Sequence, residues 1–106
     1  MTALDDIAAE RRRQIAAEGF DAQHDDNYPP GTLALAGAVY ALPNAEAESL
    51  HGSGVPVWLA FWPWDREWLR KGDRRRDLVK AAALIVAEID RLDRSERQGG
   101  GDAEPR

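Results

Sequence analysis

The chain has 106 residues, 43% of them hydrophobic and 31% charged, which is the length and make-up of one small globular domain. Its 14 lysines and arginines against 19 aspartates and glutamates leave a net charge of −5, which argues against a charge-driven nucleic-acid binder. The absence of cysteine excludes disulfides, thiolate metal sites and cysteine nucleophiles, and no apolar run approaches the roughly 20 residues of a membrane-spanning helix.

The acidic residues 1–6 lack the apolar core of a signal segment, so the expected location is the cytoplasm, with no membrane partner. Asp5 or Asp6 can then cap a helix, and Leu4, Ile7, Ala8 and Ile15 recur at helical spacing up to Gly19. A helix over Ala3–Glu18 with a narrow apolar stripe is predicted. Residues 20–31 are polar and acidic and end in Pro-Pro-Gly, the composition of a long loop. Residues 32–42 carry no charge, can be capped by Thr32 and stop at Pro43, which predicts a short buried helix. Residues 44–56, with Gly-Ser-Gly at 52–54, read as a surface excursion.

All four tryptophans lie between positions 58 and 68. Pro63 interrupts that run, so a short extended segment followed by a turn is predicted over 57–64. Residues 73–92 give the clearest signal. Leu78, Ala82, Ile85, Ile89 and Leu92 alternate spacings of four and three, Val79 and Val86 widen the stripe, and Asp73 caps the start. That stripe is the predicted core face. Residues 98–106 are rich in glycine and charge, so the folded unit is taken as 3–95 and the remainder, 96–106, as a disordered tail. The fold expected is mainly α: a three-helix domain with a Trp/Pro-rich extended segment and irregular loops.

Three constellations could carry chemistry. Glu18, Asp21, His24, Asp25 and Asp26 are hard ligands or polar contacts, and they equally suit a solvated loop with a capping aspartate. Trp58, Trp62, Trp64 and Trp68 can stack a planar ligand or fill a core. Twelve of the fourteen basic residues are arginine, and Arg74, Arg75 and Arg76 fall in the first turn of the long helix, against its dipole. They can fork a phosphate or pair with Asp65, Glu67, Asp73 and Asp77. No serine–histidine–acid set, Walker loop or dinucleotide fingerprint is readable.

The ordered segments Arg13-Gln-Ile-Ala-Ala-Glu-Gly19-Phe20, Asp25-Asp26, Pro63-Trp64-Asp65 and Arg76-Asp77-Leu78-Val79-Lys80 resemble the ryanodine-receptor-type domain. Phe20 stands where that domain usually has tryptophan, and the 32–42 helix has no counterpart in it. The chain is also similar, over residues 7–94, to small phage and prophage accessory proteins with a His-Asp-Asp segment, a Gly-x-Leu-Ala helix and a Trp-Pro-Trp-Asp turn. The resemblance implies a small-molecule recognition module for a nucleotide-derived ligand, without catalytic residues.

From these signals the ligand-binding set is Phe20, His24, Asp25, Asp26, Tyr28, Trp62, Trp64, Arg74, Arg75 and Arg76. The aromatics would stack a base, Arg74, Arg75 and Arg76 would hold phosphate, and Asp25 or Asp26 would accept from ribose hydroxyls. No metal and no cofactor are expected on this reading. A phage protein of this kind could sequester a host signalling nucleotide in the host cytoplasm. Two other classes stay open. One is an Mg-dependent all-α nucleotide pyrophosphohydrolase using Glu10, Glu18, Glu88, Asp90 and Asp93. The other is a phage inhibitor that binds a protein through its tryptophans and arginines. A homo-oligomer is compatible with so short a chain.

Overall fold

The computed structural model describes residues 1–19, 22–52 and 54–98. Phe20, Asp21, Ser53 and the tail residues 99–106 lie outside them. The fold is mainly helical, as expected. The three long helices are α1 (Ala3–Glu18), α3 (Thr32–Ala41) and α6 (Arg74–Gln98). Three one-turn helices intervene: α2 (Ala22–Asp26), α4 (Asn44–Glu48) and α5 (Val57–Phe61). A 3-10 turn covers Arg66–Trp68, and among the described residues the strand-like pairing is one isolated antiparallel bridge between Leu50 and Pro56. No helix among the described residues is long and apolar enough to cross a membrane.

Local chemistry explains most boundaries. Thr2 and Asp5 form a reciprocal capping box at the start of α1, which closes at Gly19 in the left-handed region at φ 73°. Asp73 caps α6 by accepting from the Arg76 amide at 2.9 Å. Thr32 does not cap α3. Gly31 occupies that position at φ 91°, and the Thr32 hydroxyl instead donates to the Pro29 carbonyl at 2.9 Å. Residues 22–26 and 44–48, expected in loops, each wind one turn, and Ala47 is buried. Residues 57–61 are helical rather than extended, because Pro56 is well suited to precede a first turn and Pro63 acts only beyond its end. α6 continues through residues 96–98, past the predicted end.

α3 and α6 form the main packing pair and run antiparallel. The Gly31 amide at the start of α3 donates to Glu88 at 3.2 Å, while Arg74 at the start of α6 donates to Leu42 O at 2.8 Å and to Ala41 O. The core comprises Leu33, Ala36, Val39 and Tyr40 of α3, Ala81, Leu84 and Ala87 of α6, and Trp62. Gly37 lets the two helices approach: a Cβ there would lie 3.1 Å from Ile85 Cγ1 and 3.2 Å from the Ala81 carbonyl oxygen.

Two predicted faces are reversed. On α6 Ala81, Ala83, Leu84 and Ala87 are buried together with Val79, while Leu78, Ile85, Val86, Ile89 and Leu92 are 37–47% exposed. On α1 the inward positions are polar: Glu10 and Gln14 are buried, whereas Leu4 is 77% and Ile15 41% exposed.

Candidate functional site: an aromatic cavity beside α1 and α6

The buried polar face of α1 borders a cavity of about 450 Å³. Glu10, Arg13, Gln14 and Glu18 form one side, and Lys80 and Leu84 of α6 contribute another. Apart from Asp65 and Arg70, the remaining wall is aromatic. His24 and Tyr28 follow from α2, Tyr40 from α3, and Trp62, Trp64 and Trp68 from the tryptophan-rich segment.

The rings form a continuous chain of contacts. His24 meets Tyr28 edge-on at 4.9 Å between centroids, Tyr28 meets Trp64 at 5.3 Å, Trp64 meets Trp62 at 5.3 Å, and Trp62 meets Tyr40 at 5.6 Å. Edge-to-face packing at these separations fixes ring orientation as well as burying area. Hydrogen bonds anchor the Trp62–Tyr40 end. Trp62 Nε1 donates to Asp65 O at 2.9 Å, and the Arg70 amide donates to the Tyr40 hydroxyl at 2.9 Å. The Tyr28 hydroxyl and His24 Nε2 share a hydrogen bond at 3.0 Å.

Glu10 organises the polar side. Arg13 grips its carboxylate from Nε at 2.8 Å and from a terminal nitrogen at 2.7 Å, Gln14 Nε2 donates at 3.1 Å, and Arg76 reaches it from α6. Burial alone would raise the Glu10 pKa, but Arg13 and Arg76 outweigh it and hold the carboxyl below its ordinary value. Arg13 also bridges to Glu18 at 3.3 Å. Gln14 is 3% exposed, and its Oε1 has no hydrogen-bond partner among the described residues. A buried amide oxygen in a cavity wall calls for a donor.

Two cations on this cavity lack a carboxylate partner among the described residues. Lys80 Nζ donates to Arg70 O at 2.8 Å and sits 5.4 Å from the centroid of the Tyr40 ring. Burial, and then the nearby Arg76 charge, push the Lys80 pKa below the ordinary lysine value. The Arg70 side chain is the second. An aromatic wall beside two such cations and a buried acceptor can stack a planar group, hold an anion and accept an N–H donor.

The sequence-derived set divides. His24, Tyr28, Trp62 and Trp64 converge on the cavity. Asp25 is fully buried, accepting from Arg11 at 3.0 Å and lying 3.3 Å from His24 Nδ1, so it supports the ring rather than facing the cavity. Asp26 pairs with Arg94 at 2.8 Å. Arg74 caps the C-terminus of α3. Arg75 pairs with Asp6 at 2.7 Å, and both Arg75 and Arg76 border a separate cleft between α1 and α6. Phe20 lies outside the described residues. Glu18, Trp68 and Arg70, which the sequence places in its acidic, tryptophan and arginine groups but not in the ligand-binding set, also line the cavity, and sequence reasoning missed Arg13, Gln14, Tyr40, Asp65 and Lys80 as ligand contacts. The signal was the polar inward register of Glu10 and Gln14, which the apolar positions of α1 obscured.

Among the described residues no group of three or more histidine, aspartate and glutamate side chains is arranged to hold a metal ion. Comparison of the chain with protein-family models, curated proteins and solved structures returns no match.

Proposed function

We propose that the protein is a binding module for a planar, anionic, nucleotide-derived small molecule, held in the aromatic cavity without chemical turnover. The observation that carries this reading is the pairing, in one cavity, of a continuous aromatic wall with two cations, Arg70 and Lys80, that have no carboxylate partner among the described residues. The base stacks against Trp64 and Tyr28, and an exocyclic amine donates to Gln14 Oε1. Arg70 and Lys80 hold phosphate, taking the part that the sequence suggested for Arg74, Arg75 and Arg76. Asp65 is the acceptor for ribose hydroxyls.

The short-motif resemblance to the ryanodine-receptor-type domain and to phage accessory proteins, if it reflects kinship, implies recognition rather than catalysis, with sequestration of a host signalling nucleotide as the biological role. Two of the cavity's carboxylates, Glu10 and Glu18, are engaged differently from those of a magnesium site, since both bond Arg13. The test is binding of mononucleotides, cyclic nucleotides and ADP-ribose with and without Mg, repeated on Arg70→Ala and Lys80→Ala. Metal-independent binding, weakened in both variants and with the ligand recovered intact, is the expected result. Turnover of any of these compounds would overturn it.

A further inference from the structure

The chain carries two lysines among its fourteen basic residues, Lys71 and Lys80, and they stand in different surroundings. Lys71 Nζ donates to Leu42 O at 3.2 Å and lies 4.0 Å from the Asp77 carboxylate. Lys80 is half-buried on the cavity wall. Its Nζ donates to Arg70 O at 2.8 Å and sits 5.4 Å from the centroid of the Tyr40 ring, so it lies between two residues that themselves line the cavity.

An amine is a nucleophile only in its neutral form, and two features favour that form: removal from water and a neighbouring cation. Lys80 has both. Burial is the larger cause that holds its pKa below the ordinary lysine value. The charges of Arg76 and Arg13 act in the same direction, while Glu10 and Asp77 pull the other way without restoring it. A neutral amine can keep one N–H on the Arg70 carbonyl and still offer its lone pair to a carbon electrophile. The cavity defines what carries that electrophile. Its rings suit a flat group, and the Arg70 guanidinium, without a carboxylate partner among the described residues, suits an anion.

We propose that Lys80 is a nucleophilic lysine that captures the aldehyde of a planar, anionic molecule as a reversible Schiff base inside the aromatic cavity. Such capture rests on the binding role proposed for the cavity, which must first accept a planar anion. Arg70 holds the anionic group, and Lys80 Nζ, which assists it with ligands that have no carbonyl, attacks the carbonyl carbon instead. The nitrogen lone pair forms the C–N bond, and the carbonyl π pair moves to oxygen, which takes a proton from nitrogen. The carbinolamine then forms C=N as its hydroxyl and the last proton on nitrogen leave as water. Nothing is oxidised or reduced. Water reverses the step, so the ligand returns intact.

Pyridoxal phosphate, a flat anionic aldehyde, is the probe, with borohydride trapping and peptide mapping of the full chain. Lys80 is expected to be labelled at least about tenfold faster than Lys71, because the cavity holds the aldehyde beside it. Arg70→Ala should slow labelling of Lys80 and leave that of Lys71 unchanged. A neutral pyridine carboxaldehyde, which lacks the anionic group, should show no dependence on Arg70. Equal labelling of the two lysines, or a Lys80 rate that Arg70→Ala leaves untouched, would overturn the inference. Saturating mononucleotide, cyclic nucleotide or ADP-ribose should protect Lys80. Fast, Arg70-dependent labelling that none of these compounds slows would support the Schiff base and count against the nucleotide reading alone.

Discussion

Gln14, which lines the cavity, donates its Nε2–H to the buried Glu10 carboxylate at 3.1 Å, and that bond orients the amide so that Oε1 is the atom left without a partner among the described residues. A flipped amide would set oxygen against carboxylate. Gln14→Leu removes both the bond to Glu10 and the unsatisfied acceptor, so stability should change by less than about 1 kcal/mol. Ligand affinity should fall by about threefold to tenfold, the worth of one hydrogen bond of roughly 0.5–1.5 kcal/mol. Calorimetric titration beside thermal denaturation separates the two effects, and unchanged affinity would remove Gln14 from the site.

Glu10 ties α1 to α6 through Arg13 and Arg76, and its folded pKa lies below the ordinary value of 4.5. The stability it contributes is therefore complete above pH 4.5 and is lost as pH falls through the lower folded value. Urea midpoints followed from pH 7 to pH 3 should decline more steeply in the wild type than in Glu10→Gln. At neutral pH that variant should lose about 1–3 kcal/mol, because two arginines surrender a charged partner and remain able to turn to solvent. Parallel pH curves would contradict the assignment.

Arg70 and Arg74 should behave oppositely. Arg74→Ala deletes the donor to the α3 carbonyls of Ala41 and Leu42 and should cost about 0.5–1.5 kcal/mol of stability with no change in ligand affinity. Arg70→Ala should leave stability within about 0.5 kcal/mol and weaken binding of a phosphorylated ligand about tenfold. Equal effects on binding would return the phosphate role to the start of α6.

Gly37 sits where α3 presses on α6, with the Ala81 carbonyl oxygen 3.2 Å from the place a Cβ would occupy. Gly37→Leu must force backbone as well as side chains apart and should destabilise by about 1–3 kcal/mol in a urea melt. A neutral result would mean that the helices can separate without loss.

The three long helices were legible because spacing and caps act locally: Asp73 does bond the Arg76 amide, and Gly19 does close α1. Facing was not. The largest apolar residues of α6 were assigned to the core, yet Ala81, Ala83 and Ala87 are buried while Ile85 and Ile89 remain at the surface. Close approach of α3 at Gly37 selects small residues, and pattern reading weighs size instead. The cavity was half legible. Its tryptophans lie within seven residues of one another in the sequence, 62–68, whereas Gln14, Tyr40 and Lys80 meet only in three dimensions. Asp25 and Arg76 resembled ligand contacts because free and paired charges look identical in a sequence.

The most direct test of the cavity is isothermal titration of the wild-type protein and Trp64→Ala with the mononucleotide, cyclic nucleotide and ADP-ribose panel in EDTA. Saturable one-site binding by a member of the panel, weakened at least about tenfold when the stacking ring is removed, is the expected result. No binding by any member, or binding that Trp64→Ala leaves intact, would contradict the proposed role of the aromatic cavity.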